Sequence, residues 1–348
     1  MRAAFLNRAF DITVTGVPKP VIQAPTDAII RVVASCVCGS DLWRYRGITP
    51  IAEPQMMGHE AVGVIVELGA DVTGFSLGDF VVNPFMHSCG VCPDCVSGFT
   101  GSCRNGGSFY SCCQAEFLRV PQAGFSMVKV PGFSEGAQSS KLPEGDLLKS
   151  LLSLSDVMGT GWHAAVSAGV REGSRVAVVG DGAVGLCGVL AAKTLGAHQI
   201  IAMSRNPQRQ ALAREFGATD IVEARGDEGV AVVMDLTDGI GADGVLECVG
   251  DGPGMLQAIK SCRPGGTVGW VGVPHDIEIP MRHIFEWNVG LKGGMAPVRA
   301  YLPSLLEQVM SGTINPGSVF TKTRPLEEAA EAYDDMDKRR EIKVMLSE

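Results

Sequence analysis

Three residue types that can bind a metal ion or move a proton lie close together in the first part of the chain. Cys38 begins the segment Cys-Gly-Ser-Asp, and His59 and Glu60 follow in the segment Gly-His-Glu. A zinc ion that takes part in catalysis binds about three ligands of these types and keeps one position for water or substrate. Because Cys and His at such a separation more often pack in a core, this segment predicts at most half of an open zinc site.

A second group of candidate ligands is a run of closely spaced cysteines. They follow the pattern C-x2-C-x2-C-x7-C and are Cys89, Cys92, Cys95 and Cys103. Four thiolates complete a tetrahedron around zinc and leave no open position, so the pattern predicts a structural zinc site. The alternatives are an iron–sulfur cluster and a reduced loop with unrelated cysteines. Cys112 and Cys113 are adjacent in sequence and are predicted to lie outside the site.

A glycine-rich segment between a predicted strand and a predicted helix is typical of dinucleotide binding. The segment Gly-Asp-Gly-Ala-Val-Gly covers residues 180–185, directly after the apolar residues 176–179. Its glycines permit a tight turn, approach of the pyrophosphate to the helix N-terminus, and close packing of helix on strand. The alternative is a glycine-rich turn that binds no nucleotide. The predicted cofactor-binding residues of this loop are Gly180, Gly182, Ala183, Val184 and Gly185.

The residues at the end of the second predicted strand indicate which dinucleotide binds. An NAD site has an acidic residue there, which accepts a hydrogen bond from the ribose 2′-hydroxyl. This chain has Ser204 and Arg205 instead, with Arg209 one helical turn further on. Because these side chains can donate hydrogen bonds to a 2′-phosphate, we expect NADP(H) rather than NAD(H). The alternative is that the two arginines only solvate the start of a helix.

The length and composition of the chain favour a two-domain α/β protein. A chain of 348 residues is too long for one hydrophobic core. Charged residues make up 19% and hydrophobic residues 46%, which is the profile of a globular protein rather than of a disordered one. The 44 glycines favour buried parallel strands that are joined by tight turns.

The charge pattern argues for small-molecule partners. The formal net charge is −9 and the longest basic run is residues 338–340, so we expect neither nucleic acid nor a membrane as a partner. The sequence shows no signal peptide and no apolar run of about 18 residues, which predicts a cytoplasmic protein. Disulfide frameworks belong to short secreted chains, so the 11 cysteines are predicted to be reduced and to bind metal where they cluster.

The elements that must position these residues fall into two regions. Residues 1 to about 155 form short alternating runs broken by Gly and Pro, such as 28–34, 61–68 and 79–82, which predicts a mostly β domain. An apolar repeat at helical spacing predicts one linking helix from residue 142 to about residue 158.

From residue 174 onward, predicted strands and helices alternate. The strands cover residues 175–180, 199–203, 219–222, 244–249 and 267–271, and the helices cover residues 182–195, 207–216 and 254–262. This alternation is typical of a doubly wound parallel sheet. Beyond residue 297 we expect helices over 301–310 and 326–337, and a strand over 342–346 that returns to the first domain.

The order of these motifs resembles that of the zinc-dependent medium-chain alcohol dehydrogenases over nearly the full length of the chain. The resemblance implies an α/β fold with a GroES-like, mostly β catalytic domain over residues 1–155. It further implies a Rossmann domain with a doubly wound parallel sheet that binds NADP over residues 156–296, and a C-terminal return to the catalytic domain over 297–348. A homodimer or homotetramer with two zinc ions per chain, one catalytic and one structural, is also implied.

The resemblance assigns further roles in the open zinc site. The third zinc ligand of the family precedes a Thr-Gly segment, and Asp156 lies at that point, so the ligands would be Cys38, His59 and Asp156. Glu60 matches a carboxylate that enters the zinc shell in some members. A supporting role for Glu60, as a partner of a zinc ligand or of an arginine, is equally open.

The implied activity is metal-assisted hydride transfer between NADP(H) and an alcohol, aldehyde or ketone. Ser40 matches the hydroxyl that accepts the proton of the alcohol, whereas Trp43 replaces the histidine that relays the proton to solvent in some members. Two other interpretations are a zinc-free quinone or enoyl reductase of the same fold and a protein that binds zinc and nucleotide without catalysis. The sequence does not select one substrate among alcohols and carbonyl compounds.

Overall fold

The chain folds into two compact units in the computed structural model, which describes residues 1–107, 109–110, 112–136 and 141–347. The first unit comprises Met1–Asp156 and Pro297–Glu348, and the second comprises Val157–Ala296. The second unit is therefore inserted into the sequence of the first. Among the described residues, no helix combines the length and the apolar character that crossing a membrane requires.

The N-terminal part of the first unit consists mainly of short strands. These are β1 (Arg2–Arg8), β2 (Asp11–Gly16), β3 (Ala28–Cys36), β4 (Gln55–Met56), β5 (Ala61–Leu68), β6 (Asp79–Asn83), β7 (Phe117–Val120) and β8 (Val128–Ser134). The helices are α1 (Asp41–Tyr45), α2 (Pro93–Val96), α3 (Ala123–Ser126) and α4 (Gly145–Ser153), and a 3-10 turn covers Thr100–Ser102.

The second unit alternates helices with strands. Its helices are α5 (Val157–Ser167), α6 (Ala183–Thr194), α7 (Pro207–Phe216), α8 (Gly226–Leu236), α9 (Gly252–Ser261) and α10 (Met281–Trp287). Its strands are β9 (Arg175–Val179), β10 (Gln199–Met203), β11 (Asp220–Val222), β12 (Ala242–Glu247), β13 (Cys262–Trp270) and β14 (Gly290–Gly293). They form one sheet in the order β11-β10-β9-β12-β13-β14, and every pairing is parallel. The carboxyl ends of β9 and β10 consequently meet at one edge, which is where such sheets bind ligands.

The last part of the chain completes the first unit. It contains α11 (Val298–Met310), β15 (Phe320–Pro325), α12 (Ala329–Asp337) and β16 (Lys343–Ser347), with 3-10 turns over Pro316–Val319 and Leu326–Glu328. Strand β16 pairs in parallel with β15 and antiparallel with β3. The sequence near the C-terminus is thus built into the main sheet of the first unit.

The main sheet of the first unit brings distant segments of the chain together. Its order is β15-β16-β3-β5-β6-β8, with β7 also paired to β3, and a smaller sheet has the order β2-β1-β4. Strand β3 ends two residues before Cys38, and β5 begins directly after Glu60. Because Ser35 pairs with Ala61 in an antiparallel register, the two segments that carry the candidate ligands meet at one end of this strand pair.

Several element predictions need correction. The single helix predicted over residues 142–158 is wrong, because the chain leaves α4 after Ser153 and begins α5 at Val157. The break is a tight turn in which the amide of Asp156 donates to the Ser153 carbonyl. The helix predicted over 254–262 ends at Ser261, and Cys262 begins β13 instead. Helices α8 and α10 and strand β15 were not predicted, since glycines and short lengths obscure their periodicity.

Candidate metal centre and dinucleotide site

Four residues of the first unit form a compact group, called here the mixed-donor cluster: Cys38, His59, Glu60 and Asp156. One candidate ligand atom from each lies within 4.8 Å of those of the others. His59 Nε2 is 3.2 Å from Asp156 Oδ2, and Cys38 Sγ is 3.7 Å from the same oxygen. All four residues are buried. The fold therefore brings the three predicted catalytic-zinc ligands and Glu60 together.

Asp41 fixes the geometry around two of the cluster residues. Its Oδ2 accepts a hydrogen bond of 3.0 Å from the backbone amide of Cys38, which holds the turn that carries the thiol. Its Oδ1 lies 3.3 Å from His59 Nδ1. A carboxylate at Nδ1 keeps the proton on that nitrogen, so that Nε2 faces the other donor atoms with its lone pair.

Lys343, which is 283 positions from Glu60 in the sequence, neutralises the Glu60 carboxylate. Lys343 Nζ lies 2.7 Å from Glu60 Oε1 and donates a bond of 3.2 Å to the carbonyl of Val37. Both side chains of this ion pair are almost completely buried. Glu60 Oε2 is buried as well and has no hydrogen-bond partner within the described part of the chain. Glu60 therefore combines a fixed oxygen with one that is available to a ligand.

The electrostatics of the mixed-donor cluster fit a bound divalent cation. Burial alone lowers the pKa of His59, but the nearby carboxylates of Asp41 and Asp156 raise it well above its usual value. Burial raises the pKa values of Cys38 and Glu60, and the positive charge of Lys343 opposes both shifts. A thiol, an imidazole and two carboxyl groups are thus packed where their charges are poorly solvated. These donor types match zinc, and a cation would stabilise their deprotonated forms.

Aromatic rings cover one side of the cluster. The ring centroid of His59 is 6.3 Å from that of Phe85 and 6.1 Å from that of Phe109, and both pairs are edge-on. The two phenylalanine rings are 5.1 Å apart. These rings provide an apolar wall on one side of the candidate ligands.

Ser40 and Trp43 lie on the short helix that follows Cys38. Ser40 is the N-cap residue of α1, but its side chain makes no capping hydrogen bond to that helix. Ser40 and Trp43 are both half-buried. Ser40 is separated from Cys38 by one residue and so lies beside the mixed-donor cluster in sequence, and Trp43 follows within the same helix.

The four predicted structural ligands form a second group, called here the four-cysteine cluster: Cys89, Cys92, Cys95 and Cys103. Backbone amides donate to sulfur within it, from Cys89 to Cys103 Sγ at 3.3 Å and from Cys92 to Cys89 Sγ at 3.4 Å. Such donors favour thiolates, the form that binds zinc. Gly90 permits the turn for two reasons. Its φ of +74° favours glycine, and a Cβ there would lie 2.4 Å from the Phe125 ring. An all-thiolate set without another ligand type fits a closed zinc site.

The glycine loop has the geometry that dinucleotide binding requires. It connects β9 to α6, and Gly180 has a φ of +114°, which favours glycine. A Cβ on Gly185 would lie 1.9 Å from the carbonyl oxygen of Gly180, so this glycine permits close packing of helix and strand. A Cβ on Gly182 would meet no described atom within 4 Å, so the N-terminus of α6 has an open approach there. Ala183 and Val184 form the first turn of α6.

The residues predicted to bind a 2′-phosphate are arranged around Asp181. Ser204 Oγ donates to Asp181 Oδ2 at 2.8 Å. Arg209 Nη1 donates to the Asp181 carbonyl at 3.0 Å and lies 3.4 Å from its Oδ1. These three residues are buried, whereas Arg205 is exposed. The fold therefore brings Ser204 and Arg209 together, and it directs Arg205 to solvent.

Sequence reasoning missed several residues of these sites. Asp41 and Lys343 received no role, although one orients His59 and the other neutralises Glu60. Phe109 and Asp181 were also not predicted. Only the proximity of Asp41 to Cys38 in the sequence could have indicated that Asp41 lies at the mixed-donor cluster. The others depend on tertiary packing.

His163 follows Asp156 on α5 and belongs to the second unit. It is buried and forms a hydrogen bond with the backbone of Gly293. Burial lowers its pKa from the usual value. A neutral, hydrogen-bonded imidazole of this kind supports the packing of α5 rather than a role as a catalytic base.

Comparison with known protein families agrees with both units. Residues 24–132 match the family model described as "Alcohol dehydrogenase GroES-like domain". Residues 183–311 match the family model described as "Zinc-binding dehydrogenase". The two matches correspond to the β-rich N-terminal region and to the region of the parallel sheet.

Individual relatives cover most of the chain. A probable zinc-binding alcohol dehydrogenase of Mycobacterium tuberculosis is 37% identical over 341 residues, which is 96% of this chain and 84% of that protein. The NADP-dependent isopropanol dehydrogenase of Thermoanaerobacter brockii is 31% identical and covers 87% of this chain and 86% of its own length. The solved alcohol dehydrogenase TADH from Thermus sp. ATN1 superposes with a TM-score of 0.88 at 31% identity and covers 100% of this chain and 99% of its own. The chain therefore belongs to the zinc-dependent medium-chain alcohol dehydrogenase family.

Proposed function

We propose that this protein is a zinc-dependent oxidoreductase that transfers hydride between NADP(H) and a small alcohol, aldehyde or ketone. The observation that carries the proposal is the convergence of Cys38, His59 and Asp156 in one buried cluster. Their positions in the family resemblance and their donor types support the same role. The four-cysteine cluster supports a second, structural zinc ion, which gives two zinc ions per chain.

The residues at the mixed-donor cluster have different roles in metal binding. Cys38, His59 and Asp156 would hold the catalytic zinc, and Asp41 keeps His59 in the tautomer that presents Nε2. When bound, zinc would polarise the substrate oxygen and NADP(H) would carry the hydride. Three ligands leave room for the substrate, whereas the four-cysteine cluster leaves none.

Two further residues act on protons and charge beside the metal. Ser40 Oγ is proposed to accept the proton of the alcohol. Glu60 is proposed to remain paired with Lys343 and to offer Oε2, which has no other partner among the described residues, when another ligand leaves. The prediction of an arginine partner for Glu60 differs from the structure only in the residue type, since a lysine forms the pair. Trp43 replaces a histidine, so the path of the proton beyond Ser40 would use water or the ribose hydroxyls.

The preference for NADP(H) is supported by the residues at the end of β10. The residues that end β10 and follow it, Met203, Ser204 and Arg205, include no acidic side chain, and Arg205 is exposed there without an ion pair among the described residues. The relative from Thermoanaerobacter brockii that is named NADP-dependent supports the same choice. We expect Arg205→Ala to lower kcat/KM with NADPH about tenfold and to leave kcat/KM with NADH nearly unchanged. Arg214→Ala, an exposed arginine further along α7, is the matched control.

The remaining proposals concern the setting of the enzyme. A cytoplasmic location agrees with the thiolates of the four-cysteine cluster, which need a reducing compartment. A homodimer or homotetramer remains a prediction from the family resemblance. Sedimentation of the purified protein would measure the oligomeric state directly.

One combined experiment tests the main proposal against its two alternatives. Zinc content is measured by mass spectrometry of the metal, and kcat/KM is measured with NADPH and NADH over a panel of primary and secondary alcohols and their carbonyl products. We expect two zinc ions per chain and turnover that favours NADPH. Full activity without zinc would support a quinone or enoyl reductase instead. A protein loaded with zinc that converts no compound of the panel would support binding without catalysis.

A further inference from the structure

Asp181 places a buried carboxylate in the glycine loop of the second unit. It occupies the position between Gly180 and Gly182, and its side chain is 7% exposed. Its Oδ2 accepts the hydroxyl of Ser204 at 2.8 Å, and its Oδ1 lies 3.4 Å from Arg209 Nη1. The Asp181 side chain thus connects the loop that follows β9 with the residue that follows β10.

In such folds, NAD and NADP are distinguished at the end of the second strand, which is where this carboxylate lies. The pyrophosphate binds at the glycine loop, and the ribose 2′ group is read at the end of the second strand. In sites that bind NAD, an acidic side chain at that strand end accepts the 2′-hydroxyl. Here the strand end has Ser204, and the acidic group reaches it from the loop instead.

The ion pair with Asp181 also changes what Arg209 can contribute. Both side chains of the pair are nearly buried, at 6% for Arg209 and 7% for Asp181. A neutralised pair attracts a phosphate dianion only weakly, and the carboxylate itself repels it at short range in a poorly solvated site. Arg205 is the cation near this position that forms no ion pair within the described residues.

We propose that Asp181 is a coenzyme-specificity residue that limits the preference for NADP(H) by opposing the 2′-phosphate. The proposal rests on the proposed use of NADP(H). Asp181 keeps Arg209 neutralised and offers the type of acceptor that suits a 2′-hydroxyl. Arg205 acts in the opposite sense and attracts the phosphate. The balance of these two residues sets the selectivity of the site.

The test measures binding without turnover. The probes are 2′-phospho-ADP-ribose and ADP-ribose, which differ only in the 2′-phosphate and lack the nicotinamide ring. Dissociation constants for both are measured by calorimetry with the zinc-loaded full-length protein and with Asp181→Asn, which removes the charge and keeps the size. Asp238→Asn is the matched control, because Asp238 also pairs with an arginine but is 75% exposed and lies near Arg175, at the amino end of β9.

We expect Asp181→Asn to shift the ratio of the two dissociation constants about tenfold toward the phosphorylated probe, because it removes a negative charge close to the phosphate. The ratio of kcat/KM for NADPH over NADH should shift in the same direction. Asp238→Asn should change neither ratio by more than about twofold, since its carboxylate is solvated. An unchanged or reversed ratio in a folded Asp181→Asn variant would overturn the proposal.

Two further measurements keep the outcome decisive. Circular dichroism and unfolding temperature establish that each variant is folded, and Asp181→Ser replaces Asp181→Asn if the latter is not. The wild-type ratio tests the proposed NADP(H) preference by itself, and a preference for ADP-ribose would refute that preference. The shift between wild type and variant tests the role of Asp181, so the two proposals can fail independently.

Discussion

The two candidate metal clusters of the first unit differ in how the chain builds them. The four-cysteine cluster comes from one loop between β6 and β7, so its ligands are close in sequence as well as in space. In the mixed-donor cluster, Cys38 and Asp156 are 118 positions apart, and the sheet must form before they meet. The first cluster can be recognised from its spacing alone, whereas the second depends on the whole fold of its unit.

The surroundings of the two clusters differ in the same way. The four-cysteine cluster receives hydrogen bonds from its own backbone, and Cys89 is only partly buried. The mixed-donor cluster is enclosed by side chains from elsewhere, among them Asp41 and the buried lysine Lys343. Local geometry is thus enough to form the four-cysteine cluster, whereas the mixed-donor cluster depends on neighbours that orient its donors and control their charge.

The largest expected effect separates the two clusters by activity. Cys38→Ser should lower kcat/KM about a thousandfold, because loss of a ligand removes the metal's contribution to the reaction. Zinc content should fall from two to one per chain while the circular dichroism spectrum is retained. Cys112→Ala is the control, since Cys112 belongs to neither cluster. Activity that survives in Cys38→Ser would refute the assignment of the catalytic zinc.

The next effect concerns the residue that orients His59. Asp41→Asn should weaken zinc binding at the mixed-donor cluster by about 10- to 100-fold, because Nδ1 loses its charged acceptor. Competition with a chromogenic chelator measures this affinity, and the zinc ion proposed for the four-cysteine cluster serves as an internal reference. Equal loss from both clusters would mean that the substitution acts on folding and not on His59.

A smaller effect on activity is expected from the four-cysteine cluster. Cys95→Ser should remove one zinc ion and lower the unfolding temperature by about 5 °C, because the loop loses its cross-link. We expect kcat/KM to stay within about threefold of the wild-type value at 25 °C. Differential scanning calorimetry and zinc analysis measure the two changes. A loss of activity as large as that of Cys38→Ser would erase the distinction between the clusters.

The last effect does not concern activity and is a difference in thiol reactivity after zinc is removed by a chelator. Burial raises the pKa of Cys89, but amides of Val91 and Cys92 outweigh it and lower this pKa to about 6. Burial raises the pKa of Cys95 to about 12 and also raises that of Cys38. At pH 7 Cys89 is thus mainly thiolate and the other two are thiols, so iodoacetamide should modify Cys89 at least about tenfold faster.

The pH dependence follows from the same values. Because the thiolate is lost as pH falls below the pKa, the rate at Cys89 should fall below about pH 6 and level off above it. Peptide mass spectrometry after brief labelling measures the site and the rate. Labelling of Cys38 at the same rate as Cys89 would contradict the predicted difference between the clusters.

The sequence predicted the fold class because its strongest signals are local. The α/β fold with a GroES-like domain is confirmed, and so is membership of the family. The helix break between α4 and α5 was missed, since the apolar repeat continues through Leu154 and gives no sign of the turn that precedes Asp156. A periodic pattern identifies a buried face, but it does not reveal a change of chain direction within that face.

The roles of single side chains were less accessible. The ligand sets were proposed from residue types and from the family resemblance, but Asp181 was read only as the variable position of a glycine motif. Its contact with Ser204 connects residues 23 positions apart and requires the parallel pairing of β9 with β10. Such contacts depend on side-chain directions, which a single sequence does not specify.

The contribution of β16 to the first unit has a consequence for synthesis. Strand β16 carries Lys343 and pairs with β3 at Ser35 and Cys36, so the first unit cannot be finished until residues 343–347 have left the ribosome. The second unit is continuous in sequence and can fold earlier, while the nascent first unit still has an open strand edge and an unneutralised Glu60. A nascent chain that stalls before residue 343 would therefore be a target for chaperones or proteases, even though its second unit is complete.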